Sequence, residues 1–113
     1  MKNIVLLFVF TFIGFSVNAQ QAKSKNAKYD FEVNGNCEQC KKRIEKAAFS
    51  IAGVKSAVWQ IDDHNMRLIL NEEKSSVLDV QKAIAKVGHD TEAVKATDED
   101  YNNLHHCCLY ERK

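Results

Sequence analysis

Proline is absent from the 113 residues, and glycine occurs only four times. Without proline the chain has no proline-rich linker and no cis-prolyl turn, so its bends must come from glycine and short polar side chains. Net charge is nearly missing too. The formal charge is +1, and with Lys2 of the N-terminal leader set aside, 15 basic residues face 15 acidic ones. That balance lacks the basic excess that nucleic acid or a polyanionic membrane surface requires. There is no internal repeat and no low-complexity tract. No serine sits in an activating motif, and the histidines fall in turns or in the tail. No nucleophile, base and orienting group are therefore assembled for hydrolysis.

The chain that is present begins with a leader. Met1, Lys2 and Asn3 carry a positive charge, and residues 4–17 are apolar apart from Thr11, Gly14 and Ser16. Val17, Asn18 and Ala19 then offer a small-residue cleavage site before Gln20. This three-part pattern predicts a secretory signal peptide over 1–19. The apolar run falls short of the roughly 20 residues that span a bilayer. The expected product is exported, periplasmic or secreted, with no stable membrane insertion after cleavage. No cysteine stands at the cleavage point to take a lipid. The residues from Gln20 onward suffice for one small domain with a modest core.

Residues 20–28 read as a polar, disordered leader. Over 29–34, Tyr29, Phe31 and Val33 alternate with Asp30, Glu32 and Asn34, as in a half-buried strand. From Cys37 to about Ser50, Cys40, Ile44, Ala47, Ala48 and Ile51 recur at helical spacing, with Lys41, Lys42, Glu45 and Lys46 turned to water and Gly53 as the stop. Two strands come next. Ala57, Trp59 and Ile61 mark one, Met66, Leu68 and Leu70 the other, joined by the turn at 62–65. Ser75 or Ser76 caps a second helix traced by Val77, Val80, Ile84 and Val87 and closed by Gly88. A weaker final strand covers 90–96. The order predicts an α+β ferredoxin-like βαββαβ sandwich, with two helices on one face of a four-stranded antiparallel sheet. Thr97 and the acids at 98–100 start a short C-terminal helical extension.

All four cysteines lie beyond the leader, at positions 37, 40, 107 and 108. Two structural disulfides are the ordinary expectation for an exported chain. These cysteines are instead gathered into two tight clusters. Cys37 and Cys40 stand at C-x-x-C spacing where a strand ends and a helix begins. Unpaired backbone N–H groups and the helix dipole favour thiolates there. Thiolates at that position serve either soft-metal binding or disulfide exchange.

The C-x-x-C at the first strand–helix junction, Gly53 and Val54 opening the second strand, and Val87 and Gly88 closing the second helix resemble the heavy-metal-associated domain. That family includes copper chaperones, modules of metal-exporting ATPases and the periplasmic mercury-binding protein. The resemblance covers 29–96 and leaves the Cys/His-containing extension, 97–113, outside. It implies a non-enzymatic metallochaperone or metal scavenger that holds a soft ion through Cys37 and Cys40, Cu(I) first, with Hg(II), Zn(II) or Cd(II) as alternatives. It also implies a metal-donor or metal-acceptor partner such as a metal-exporting ATPase. One departure stands out: Gly35 occupies the place where the family usually buries a Met. The competing expectations are a thiol–disulfide oxidoreductase and a disulfide-stabilised structural module. A thioredoxin-like enzyme relies on a cis-proline beside its cysteines, which this chain lacks.

Further donors accompany the pair. His89 follows Gly88 in the loop where the family carries a residue near the metal, and is a candidate third ligand or donor to a sulfur. His105, His106, Cys107 and Cys108 put four donors in four residues. The tail is expected to form its own metal site, to close over Cys37 and Cys40, or to pair its thiols. As the alternative to a metal role, Tyr101, Leu104 and Leu109 could dock on the outward sheet face around Val58, Ile69 and Val94. Lys41, Lys42 and Arg43 flank the pair, where they either lie solvated, lower its thiol pKa values or meet an acidic partner surface. His64 is expected to be solvated, in a turn at the far end of the sheet.

Overall fold

The structure, a computed structural model, describes residues 23–112. The expected signal peptide, 1–19, and the first leader residues lie outside the described residues. Among the described residues three strands form the sheet: β1 (Ala27–Glu32), β2 (Val54–Trp59) and β3 (Asn65–Leu70), in the antiparallel order β1-β3-β2. Alternation sets the faces. Phe31, Ala57, Trp59, Met66, Leu68 and Leu70 point into the core, while Val58 and Arg67 are exposed. Two helices cover the inner face, α1 (Glu38–Phe49) and α2 (Val77–Lys86). Each buries one apolar stripe, Cys40, Ile44, Ala47 and Ala48 on α1, and Val80, Ile84 and Ala85 on α2. Among the described residues no helix is long and apolar enough to cross a membrane.

The sequence patterns hold with small shifts. β1 starts at Ala27, so Ala27 and Lys28, expected in the leader, pair with Leu70 and Ile69. Upstream, the Ser24 carbonyl accepts the Glu72 N–H at 2.9 Å, and the Glu72 carboxylate accepts the Ser24 N–H at 3.1 Å. Ser76 caps α2 in a reciprocal box. Its hydroxyl accepts the Asp79 N–H at 3.2 Å, and the Asp79 carboxylate accepts the Ser76 N–H at 3.0 Å. Lys41 and Glu45, expected to face water, tie α1 to the end of β2. Lys41 Nζ reaches the Trp59 carbonyl at 2.7 Å and Glu45 at 2.8 Å, and Glu45 accepts the Trp59 N–H at 2.9 Å.

The stretch expected as a fourth strand makes one isolated bridge, Thr91 against Val33. Two backbone bonds flank it, Asn34 N–H to Asp90 O at 2.9 Å and Glu92 N–H to Glu32 O at 3.0 Å. Side chains then divert the backbone. Thr91 Oγ1 donates to the Val94 carbonyl at 2.8 Å and accepts the Val94 N–H at 3.0 Å, while Asp90 accepts the Ala96 N–H at 2.8 Å. Short polar side chains of this kind compete with a ladder for the main chain.

The turn keeps the tail close to where it began. Helix α3 (Asp98–Asn102), capped by Thr97, and a 3₁₀ turn (His106–Cys108) complete the chain. Docking of the tail on the outward sheet face is not observed: with the last strand cut short, the chain never travels to the other end. α3 instead lies against Gly88, whose φ is +105°. A Cβ there would stand 2.8 Å from both the Asp100 carbonyl oxygen and Leu104 Cδ2. Glycine is required at this one position both to end α2 and to seat the tail.

Candidate metal centre

Cys37 is the N-cap of α1, with extended backbone angles and no side-chain cap of its own. Cys40 lies one turn inside and is fully buried. Their sulfurs are 3.4 Å apart. The loop before them packs directly on the core. A Cβ on Gly35 would come within 3.1 Å of the Trp59 ring and of Cys40 Cβ. The indole thus fills the space under the loop, and its Nε1–H donates to the Val33 carbonyl at 2.9 Å. That is the physical counterpart of glycine at this position. Asn36 adds a two-way contact, its N–H donating to Cys40 Sγ at 3.5 Å and its Oδ1 accepting from that thiol at 3.2 Å.

The tail reaches the same place. Cys108 Sγ, fully buried, lies 3.4 Å from Cys37 Sγ. The sulfurs of Cys37, Cys40 and Cys108 all fall within 4.8 Å of one another. Cys107 Sγ stands at the rim, 3.9 Å from the sulfurs of both Cys37 and Cys108 and 3.2 Å from Gln39 Oε1. All four cysteines are free. Arg43 brings a cation to the sulfurs: its guanidinium donates to Cys108 Sγ at 3.3 Å.

The thiols differ in acidity. Burial opposes ionisation of Cys37, but the N–H groups of Cys40 and Gln39 and the thiols of Cys40 and Cys108 outweigh it, bringing Cys37 down to about 7. Burial pushes Cys40 up to about 12, only partly offset by the Asn36 N–H. Desolvation, and then the neighbouring sulfurs of Cys108 and Cys37, push Cys107 up to about 11. Of Cys37, Cys40 and Cys107, Cys37 is thus the most acidic.

The histidines do not join the sulfurs. His89 is fully buried beside the site, with Nδ1–H donating to the Asn34 carbonyl at 2.8 Å and its ring stacked on Tyr110 at 5.5 Å. Its Nε2 has no hydrogen-bond partner among the described residues. Burial above all, then the Arg43 charge, pulls His89 down to about 4, so the ring is neutral at pH 7. It lies outside the compact sulfur group. His105 and His106 are exposed, lie against each other at 4.5 Å and are not members of that group. His64 is at the site end of the sheet, contrary to expectation, because β3 runs antiparallel to β1 and Asn65 therefore pairs with Glu32. It stacks on Trp59 at 5.8 Å, and its carbonyl accepts the Val33 N–H at 2.9 Å.

Sequence reasoning missed the contacts that hold the tail. The Tyr110 hydroxyl donates to the Gly88 carbonyl and accepts the Asp90 N–H, both at 2.8 Å. Arg112 grips Asp90 with two bonds of 2.8 and 3.0 Å, reaches the Ala96 carbonyl at 2.7 Å and Asp98 at 3.0 Å, and lies over the Tyr101 ring. Burial would raise the Asp90 carboxyl, but Arg112 and the Ala96 N–H hold it below the ordinary carboxylate range. The only signal in the sequence was an aromatic and an arginine after the last cysteine.

A sheet roofed by two helices, with thiols gathered at the first strand–helix junction, defines a class of small metal-binding modules. No family model matches the chain. The copper chaperone CopZ of Staphylococcus epidermidis is 31% identical over 55 residues, 49% of this chain and 81% of that protein. A solved CopZ metallochaperone superposes with a TM-score of 0.56 at 27% identity, over 57% of this chain and 98% of that one. The N-terminal domain of a potential copper-translocating P-type ATPase from Bacillus subtilis, in its Cu(I)-loaded state, gives 0.57 at 29% identity, over 65% and 92%. The chain belongs to the heavy-metal-associated domain family of copper chaperones and copper-ATPase domains. Its relatives are metallochaperones and metal-binding domains, not enzymes, which sets aside the oxidoreductase reading. Three sulfurs converging beside one guanidinium suit a soft ion, so donor chemistry and kinship both support metal binding.

Proposed function

We propose that the protein is an exported soft-metal carrier or scavenger whose cargo is Cu(I), captured by Cys37 and Cys40 at the start of α1. The observation that carries this reading is the Cys37 sulfur at the N-cap of α1, 3.4 Å from the buried Cys40 sulfur, in a fold shared with copper chaperones. Cys37 attacks the incoming ion as a thiolate. Cys40 gives up its proton once the ion is near, because metal binding replaces the proton on a buried thiol. Hg(II), Zn(II) and Cd(II) are the competing cargoes. The expected partner is a donor or acceptor of the same ion, such as a metal-exporting ATPase, which gains support from the copper-ATPase domain among the relatives. The organisation that goes with this reading is a signal peptide over 1–19, a leader that ends where β1 begins at Ala27, a metal-binding domain from there to 96 and an extension over 97–113. In that domain the bridge at Thr91 counts as the remnant of a fourth strand.

The test is native mass spectrometry of the reduced mature protein loaded anaerobically with Cu(I). One ion per monomer is expected, and none in the C37S/C40S double variant. A wild-type protein that takes up no copper with its thiols intact overturns the reading.

A further inference from the structure

One of the tail's thiols stands in the wall of the site, not beside it. Cys108 is fully buried, 3.4 Å from Cys37 Sγ, and within 4.8 Å of Cys40 Sγ. Around one ion at about 2.3 Å from each sulfur, three sulfurs in a plane are about 4 Å apart. Two of the observed spacings are 3.4 Å and the third is within 4.8 Å, so little movement separates the empty arrangement from a three-sulfur one. The charge also fits. Arg43 already points its guanidinium at Cys108 Sγ, where a third thiolate would need a counter-charge.

The tail is also held well enough to act as a ligand arm. Tyr110 is buried between His89 and Tyr101, Leu104 seats on Gly88, and Arg112 locks the last residues to Asp90. A ligand held by packing and hydrogen bonds costs little ordering entropy when the ion arrives.

We propose that the C-terminal segment is a built-in third-ligand arm: Cys108 joins Cys37 and Cys40 to hold one soft ion in three-sulfur coordination. The proposal rests on Cys37 and Cys40 being the capture pair. It adds that the chain itself fills the coordination position that an acceptor's thiol would otherwise take. The arm must lift before the ion leaves, so the site retains its cargo and favours scavenging over rapid hand-over. Cys107, at the rim 3.9 Å from Cys37 Sγ, is left out of the coordination sphere.

X-ray absorption at the copper edge of the full mature protein loaded with one Cu(I) counts the sulfurs without any substitution. Three are expected for the wild type and for C107S, two for C108S. In competition with a Cu(I) chelator, C108S is expected to bind at least about 10-fold more weakly, since loss of even a partner behind a ligand costs about 10- to 100-fold, and to release copper faster. Two sulfurs in the wild type, or equal affinity and release for wild type and C108S, overturn the arm while leaving the capture pair standing. Failure of the wild type to load copper removes the capture pair, and the arm with it.

Discussion

The two halves of the molecule are held by different forces. The sheet with α1 and α2 is an apolar frame, with Ile44, Trp59, Met66, Leu70, Val80 and Ile84 wholly buried. The tail is fastened by a few directed contacts: Arg112 on Asp90, the Tyr110 hydroxyl on Gly88, and stacked or edge-on rings. Burial in the frame is non-directional and spread over many side chains. The tail depends on a handful of polar groups, each of which is expensive to leave unpaired. The frame can therefore survive losses that release the tail, but not the reverse.

The largest expected effect comes from breaking both at once. Trp59→Ala empties the space under Gly35 and removes the bond to Val33, at a cost of about 3–5 kcal/mol. Urea unfolding should show frame and tail melting together at a much lower midpoint. Next is acid, acting at the seam through His89. In the folded chain its pKa is about 4 instead of the ordinary 6.5, so between those values the unfolded chain holds a proton that the native chain lacks. Stability is complete above about pH 6.5 and declines as pH falls towards 4, by up to about 3 kcal/mol. Urea midpoints across that range should drop for the wild type and flatten in His89→Phe. The smallest effect should separate the regions. Arg112→Ala leaves Asp90 buried without its cation, and because Arg112 is partly exposed the cost is about 2 kcal/mol. Amide exchange should speed up over 98–112 while β1, β3 and α1 keep their protection. Equal loosening of the frame would contradict the division.

The same contrast explains how much could be read from the chain beforehand. Periodicity in Phe31, Ile44, Leu68 and Ile84 sufficed for the frame because apolar stripes recur locally. Gly53 and Gly88 marked ends by residue type alone, while the choice of Ser76 over Ser75 as the cap comes from the structure. The tail's position was not legible, since it depends on Arg112 meeting Asp90, 22 residues away, and on Thr91 bonding to Val94 in place of a neighbouring strand. The C-x-x-C pair was plain. The approach of Cys108 came from the shortened last strand, which no local pattern announced.

One feature of the frame has a practical side. The chain contains a single tryptophan, and its ring lies directly beneath the cysteine loop and against His64. Emission from that one indole is an optical gauge built into the loop's foundation. Loading, tail release and loss of the core should each leave a distinct spectral trace, read without any label.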